Sequence, residues 1–310
     1  MTIGEEGKNG TRTFTLEEAQ TIIDVFLGEG YTELDTARAY GKGTTEEYLS
    51  KLNLGNATID TKVFPFTPGD HKPEKLRETF KASLAALGRS KVRVLYLHAP
   101  DHSVPFEETV GEINKLYQEG LFEIFGLSNF AAWEVAEIVG ICKANDWVLP
   151  GIYQAIYNGI TRSIEPELVP CLRKYNIRLV IYNPLAGGFF AGKLTSVTDE
   201  GEKGGRFHPV SGLGPRYRAR YLKNAYLSAL EGLKPVAEKH GLRLTEIALR
   251  WVQHHSILKP EDGVILGASS AAQLRQNLED SAKGPLAQEV VEAVDKAWAD
   301  VGLACAPYFI

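Results

Sequence analysis

The chain has 310 residues, 44% of them apolar and 24% charged, with a net charge of -5 and a pI near 5.9. That length suits one large α/β barrel or two ordinary domains, and no shift in composition favours two, so a single domain over residues 1–310 is expected. The acidity argues against wholesale binding to nucleic acid or a membrane surface, no apolar run is long enough to span a bilayer, and the polar start MTIGEEGKNG has no signal-peptide character, so the cytoplasm is the expected compartment.

The glycine-rich segment Gly4 to Thr13 reads as a loop. Thr15 followed three residues later by Glu18 is a helix-capping pattern, apolar Ile22, Ile23, Val25 and Phe26 follow, and Gly28 and Gly30 end that helix. Next comes YTELDTARAY, Tyr31 to Tyr40, a short strand with Asp35 at its exit and Tyr40 just beyond, on a loop that Gly41 and Gly43 are expected to keep flexible. From here a strand-then-helix rhythm sets in. Strands are expected at Tyr31–Thr36, Ala57–Val63, Val92–His98, Ile124–Asn129, Gly151–Tyr157, Arg178–Leu185 and Gly263–Ser269. Amphipathic helices are expected at Thr45–Leu52, Pro73–Leu87, Phe106–Gln118, Ala132–Asn145 and Glu165–Tyr175. A long irregular insertion follows the sixth strand, after which helices are expected at Ala225–Lys239, Thr245–His254, Ala271–Ala282 and Leu286–Val301. Cys142, Cys171 and Cys305 are few, odd in number and scattered, so they read as reduced packing residues.

Alternating strands and helices imply a parallel sheet built through right-handed crossovers. Seven strands fit a doubly wound sheet or a (β/α)8 TIM barrel whose first strand is truncated to Met1-Thr2-Ile3. The strand exits decide for the barrel. They carry Asp35, Lys62, His98, Ser128 with Asn129, Gln154, Tyr182 with Asn183, and Ser269, and only a barrel gathers all of these on one rim.

A phenol, an ammonium, a carboxylate and an imidazole on one rim suit proton delivery near neutral pH. Tyr40 is the expected acid, with Lys62 as the nearby cation that lowers its pKa, Asp35 holding Lys62, and His98 orienting a substrate oxygen. Two other readings of the same residues are a Schiff-base aldolase using Lys62 and a metal-dependent hydrolase using His98 and His102, although Pro100 interrupts the helical spacing that the second needs.

The later loops suggest a bound nucleotide. Tyr182-Asn183-Pro184-Leu185-Ala186-Gly187-Gly188 leads into small residues whose amides can approach phosphate, with Lys193 and Arg206 downstream. Gly267-Ala268-Ser269-Ser270 opens a helix, an anion-binding position. Tyr182 can stack on a flat ring, and Ser128, Asn129 and Gln154 offer partners for a carboxamide. Within the insertion Arg206, Arg216, Arg218, Arg220 and Lys223 alternate with Tyr217 and Tyr221, and no acid occurs between Lys203 and Leu230. Such a loop suits a phosphate or a substrate carboxylate, with a solvated helix face as the bland alternative and single-stranded nucleic acid as a remote one.

These stretches resemble the aldo-keto reductase superfamily: DTARAY, TK with Lys62, YLHAPDH with His98, GLSNF, YQAIYN, YNPLAGG and GASSAAQLRQN occur in family order. The runs LHAPDHSVPFEET, GLSNFAAWEVAEI and NPLAGGFFAGK resemble its aflatoxin-aldehyde reductase branch, also called succinic semialdehyde reductases. The resemblance implies NADPH-dependent reduction of aldehydes, with dialdehydes, semialdehydes and aromatic aldehydes as the small carbonyl substrates. Hydride would come from the nicotinamide and the proton from Tyr40. It further implies that Ser128, Asn129 and Gln154 hold the carboxamide and Tyr182 stacks on the ring. Asn183, Pro184, Leu185, Gly187, Gly188, Lys193, Arg206, Gly267, Ser269, Ser270, Gln273, Gln276 and Asn277 would hold the phosphates and adenosine. Tyr217 and Arg220 match substrate-contacting positions. Gln273 stands where many members use arginine, which weakens the preference for NADPH over NADH, and the family's first strand is absent apart from Met1–Ile3. Because the potassium-channel β-subunit branch shares these residues, a cofactor-binding regulatory subunit with little turnover is the alternative. No metal, nucleic-acid or membrane partner is expected, and a homodimer is compatible with the sequence.

Overall fold

Hydrophobic periodicity sets the architecture. In the computed structural model, which describes residues 1–310, the apolar stripe behind the Thr15 cap forms α1 (Leu16–Gly28), and the Thr15 hydroxyl accepts the Glu18 amide as its spacing predicts. Then follow β1 (Glu33–Asp35), α2 (Thr44–Leu49), β2 (Thr58–Val63), α3 (Pro73–Leu87), β3 (Val92–Leu97), α4 (Phe106–Gln118) and β4 (Phe122–Ser128). The second half holds α5 (Ala132–Ala144), β5 (Pro150–Ile156), α6 (Leu168–Lys174), β6 (Arg178–Tyr182), α7 (Gly214–Tyr221), α8 (Asn224–Lys239), α9 (Leu244–His254), β7 (Gly263–Val264), α10 (Ala271–Ala282) and α11 (Gln288–Val301).

All strand pairs are parallel, and the seven-stranded sheet keeps sequence order from β1 to β7. It curls so far that Arg178 on β6 reaches Glu33 on β1 at 3.2 Å, and Arg93 on β3 ties that glutamate to Asp60 on β2. Outward-facing residues of the strands and the inner faces of the helices form one cluster of 61 buried residues. Val94, Tyr96, Ile152 and Val180 fill the barrel axis. None of the helices is long and apolar enough to cross a membrane.

Three sequence expectations change. The sixth strand stops at Tyr182 rather than Leu185, because Asn183 turns to a φ of +60°, outside the extended range. The seventh is two residues long instead of seven, and the first is three; each has a partner on one side only, and an unpaired edge does not sustain a long ladder. The insertion is not irregular throughout, since its basic end is the helix α7. Met1–Ile3 adds no strand to the sheet. Ile3 bridges to Thr13, and Thr2 Oγ1 donates to Ala268 O at the mouth beyond β7.

Candidate active site

Parallel registers carry the strand exits to one end of the curled sheet. Lys62 pairs in register with Tyr96, and Ser128 with Gln154. Asp35 leaves β1 beside them. Lys62 is fully buried, and its ammonium donates to both Asp35 oxygens at 2.7 and 2.6 Å, to Thr36 O at 2.8 Å and to the Tyr40 hydroxyl at 3.5 Å. With its three hydrogens directed at acceptors, this lysine is unlike the free amine that attack on a carbonyl needs. The Tyr40 and His98 rings meet edge to face at 5.8 Å. The four residues expected to converge do so.

The electrostatics correct one part of the sequence reading. Tyr40 is pushed well above the ordinary tyrosine value, first by burial and then by the Asp35 carboxylate, with Arg206 opposing. The nearby Lys62 does not offset this, because Asp35, not the phenol, takes the short ammonium contacts. The phenol therefore keeps its proton at neutral pH. His98 moves the other way, well below the usual imidazole range, through burial, then Lys62 and Arg216, and its buried Nδ1 has no partner. Its neutral ring can hydrogen-bond a substrate oxygen.

The loop bearing Tyr40 is also firmer than glycine content suggests. Tyr40–Gly43 forms a tight 3-10 turn, Thr44 Oγ1 donates to Gly41 O at 2.7 Å, and Arg38 Nη1 donates to Gly43 O at 3.1 Å. A Cβ on Gly41 would come within 2.8 Å of Thr44 Oγ1, and one on Gly43 within 2.6 Å of Arg38, so these glycines permit close packing at positive φ.

Around this centre lies a cavity of roughly 1220 Å³, larger than the about 300–1,000 Å³ usual for a single drug-sized ligand. Of the site residues expected from the sequence, all but Lys62, Ser128 and Ser270 line it. Lys62 and Ser128 are buried behind the wall, and Ser270 is exposed at the start of α10. Ser128 Oγ accepts from Asn129 Nδ2 at 3.0 Å, while Ser270 caps α10 by accepting the Gln273 amide at 3.2 Å. Gln154 donates to Asp35 at 2.8 Å, and Asn129 Oδ1 accepts the Tyr182 hydroxyl at 3.1 Å.

The loop after β6 provides the cradle a dinucleotide would need. Gly187 and Gly188 both have positive φ. A Cβ on Gly187 would lie 2.3 Å from the Tyr217 ring, whereas one on Gly188 would meet nothing within 4 Å, so there the backbone faces open cavity. Asn183 Nδ2 is buried without a partner, and Arg206 lines the cavity beside Tyr217 with no acid paired to it. These groups fit an anionic nucleotide. Lys193 instead forms an exposed pair with Glu202 at 2.5 Å, and Gln273 accepts from Ser269 N and Oγ at 3.0 and 2.9 Å. Gln276 accepts from Arg243 at 2.6 Å, and Asn277 is buried on the cavity wall.

Sequence reasoning named Arg216 among the basic residues but did not place it in the site, and it left out Phe64 and Phe66. All three line the cavity, and Phe64 meets the His98 ring edge to face at 5.3 Å. The overlooked signal was helical spacing. Arg216 and Arg220 are four residues apart on α7, on one face, while Tyr217 and Tyr221 occupy its buried face. Arg220 approaches the Tyr182 hydroxyl. Arg218 has a different role, donating to the carbonyls of Asp199, Phe207 and Val197 and so binding the insertion together. Tyr217 sits against the glycine loop and donates to Asn183 Oδ1 at 3.3 Å, on the cradle side of the cavity. His102 turns away from His98 to Glu134 at 2.6 Å, and no three His, Cys, Asp or Glu side chains are grouped to hold a metal ion.

The solved glycerol dehydrogenase of Gluconobacter oxydans superposes with a TM-score of 0.72 over 95% of this chain and 89% of its own, at 24% identity, which supports the barrel fold. An aldo-keto reductase of Pseudocercospora fijiensis is 43% identical over 297 residues, 93% of this chain and 100% of the relative. Aflatoxin B1 aldehyde reductase member 2 of Mus musculus is 43% identical over 300 residues, 93% of this chain and 82% of the relative. The human protein of that name is 42% identical over the same length. The sequence pattern described as the aldo/keto reductase family matches residues 1–299. With catalytic-type side chains gathered at the strand exits and relatives of this identity along nearly its full length, the chain belongs to the aldo/keto reductase family of oxidoreductases.

Proposed function

We propose that the protein reduces aldehydes to alcohols with NADPH, Tyr40 giving the proton. The observation that carries this reading is the junction in which Lys62 contacts both Asp35 at 2.6 Å and Tyr40 at 3.5 Å, with His98 against the same phenol. A nicotinamide held beside Tyr182 would supply the hydride. His98 and Tyr40 then both address the substrate oxygen: the neutral imidazole orients it, and the phenol, still protonated, hydrogen-bonds to it and transfers its proton as negative charge develops. Lys62 lies close enough to stabilise the phenolate that remains, and Asp35 with Gln154 holds Lys62 in place. Arg206, Asn183 and the open backbone at Gly188 support a bound phosphate. Arg216 and Arg220, with no acid paired to either, line the same cavity as Phe64 and Phe66. This favours aldehydes with an apolar or aromatic body and a distal carboxylate, such as 4-carboxybenzaldehyde or a semialdehyde.

The test is multiple-turnover oxidation of NADPH by 4-carboxybenzaldehyde, with wild type and Tyr40→Phe compared. Sustained turnover that disappears in the variant supports the reading. Tight NADPH binding with no more than a single turnover would instead favour a regulatory subunit.

A further inference from the structure

Glu46 is a wholly buried carboxylate to which the chemistry above gives no task. It lies on the inward face of α2 with Thr45 and Leu49. A carboxylate taken out of water persists only where its oxygens are bonded, and each of these has one partner. Oε1 accepts from the Thr61 hydroxyl at 2.6 Å, and Oε2 accepts from Arg38 Nη1 at 2.9 Å.

The two partners belong to different parts of the site. Thr61 precedes Lys62 on β2, and because successive strand side chains point to opposite faces, Thr61 meets α2 outside the barrel while Lys62 enters the site. Arg38 lies in the turn between Asp35 and Tyr40, and the same Nη1 donates to Gly43 O at 3.1 Å. One carboxylate therefore joins the strand that carries the ammonium to the turn that carries the phenol.

The longest contact of the site lies on that join. Lys62 Nζ reaches Asp35 and Thr36 O at 2.6 to 2.8 Å, but the Tyr40 hydroxyl only at 3.5 Å. The turn's backbone bonds to β2 run from Thr36 N to Asp60 O at 2.9 Å and from Arg38 N to Lys62 O at 3.3 Å, whereas Tyr40 N bonds back to Ala37 O at 3.0 Å. The place of the phenol thus depends on how Arg38 is anchored, and its guanidinium is anchored by Glu46. A buried ion pair adds little net stability, so the use of this one lies in the geometry it fixes.

We propose that Glu46 is a positioning residue for proton transfer: by holding Thr61 and Arg38 with one carboxylate, it sets the approach of the Tyr40 phenol to Lys62 and His98. Its kinetic consequence rests on the reductase reading, but the position of the phenol can be read without turnover.

The test compares Glu46→Met, Thr61→Val and Thr61→Ser in the full chain. Methionine fills the space of the glutamate without either acceptor, valine removes the hydroxyl, and serine restores it. The first readout is the His98 Cε1–H resonance of 13C-histidine-labelled protein at neutral pH, identified by its loss in His98→Gln, because the Tyr40 ring lies 5.8 Å from the imidazole. In Glu46→Met and Thr61→Val it is expected to move toward its position in Tyr40→Leu, and in Thr61→Ser to stay near wild type. The second readout is turnover of benzaldehyde. A fall in kcat of about 100-fold is expected in Glu46→Met and about tenfold in Thr61→Val, with KM for aldehyde and NADPH within about twofold of wild type. Thr61→Ser should recover most of what Thr61→Val loses. In a Tyr40→Phe background, with no hydroxyl left to position, Glu46→Met should cost at most about twofold more.

An unmoved His98 resonance in Glu46→Met, a loss confined to KM, or a Thr61→Ser variant as impaired as Thr61→Val overturns the proposal and leaves the reductase reading standing. If wild type gives no sustained turnover, the reductase reading fails and the resonance alone decides whether Glu46 places the phenol. Should Glu46→Met not fold, the two Thr61 variants give both readouts.

Discussion

The two sides of the cavity are built on opposite principles. On the catalytic side every charged group already has a partner within the chain: Lys62 is bound by Asp35 and Thr36, and Asp35 by Gln154. On the binding side, Arg206, Arg216 and Arg220 have no acid, Asn183 Nδ2 has no acceptor, and Gly188 faces open space. Chemistry that depends on position benefits from groups locked before substrate arrives, whereas affinity benefits from groups whose best partner is the ligand. The difference predicts two kinds of variant. Changes on the catalytic side should lower kcat, and in some cases stability, while changes on the binding side should raise KM and leave Tm nearly unchanged.

The largest effect should come from Tyr40→Phe, which removes the proton and little volume. A fall in kcat of about 1,000-fold is expected, with Tm within a degree or two of wild type. Undiminished turnover would remove Tyr40 from the chemistry. Lys62→Met is next, and it should affect both quantities. The ammonium is fully buried and Asp35 nearly so, and leaving that carboxylate unpaired costs about 3 kcal/mol, read as a lower midpoint in urea. A Lys62→Met protein as stable as wild type would mean that the pair is solvated, and the contrast between the two sides would be lost.

Much of this was legible in the sequence, for identifiable reasons. Asp35, Lys62 and His98 could be placed because a strand exit in a parallel barrel is a geometric address, and α3, α4 and α10 have the bounds their periodicity predicts. What local sequence could not show was which polar groups satisfy each other. Gln154 is held by Asp35 in the structure, a contact across 119 residues that no local pattern encodes. The direction of the Tyr40 shift was misjudged for the same reason, since proximity to a lysine says nothing about what that lysine is already bonded to. Edge strands came out too long because composition marks strand-forming residues but not whether a neighbour exists. Arg216, by contrast, was within reach of the sequence, four residues from Arg220, once the insertion is taken to be helical.

Moderate effects should separate the two glycines and the two arginines. Gly187→Ala drives a methyl group into Tyr217 and so should lower Tm as well as weaken NADPH. Gly188→Ala points into open cavity and should raise KM for NADPH about tenfold, with a stability cost of only about 1 kcal/mol from its positive φ. Arg216→Ala and Arg220→Ala should each raise KM for 4-carboxybenzaldehyde about tenfold and leave KM for benzaldehyde nearly constant, since the loss is one charge-assisted contact. Equal effects on both aldehydes would show that these arginines serve the fold or the cofactor instead.

The smallest expected effect is an absence of change with pH. Burial and Asp35 hold the Tyr40 phenol above its ordinary value near 10, so it stays protonated until pH exceeds that raised value. Burial, Lys62 and Arg216 hold His98 below its ordinary value near 6.5, so it stays neutral until pH falls below that lowered value. Between about 6.5 and 10, neither group titrates, and kcat/KM for benzaldehyde at saturating NADPH should be flat. Arg216 gives the means to sharpen this. Removing its charge in Arg216→Ala relieves one of the influences that depress His98, so the acid limb should move upward toward 6.5 while the alkaline side is unaffected. A limb within the window in wild type, or no movement in the variant, would mean that the imidazole is not the neutral group these neighbours make it.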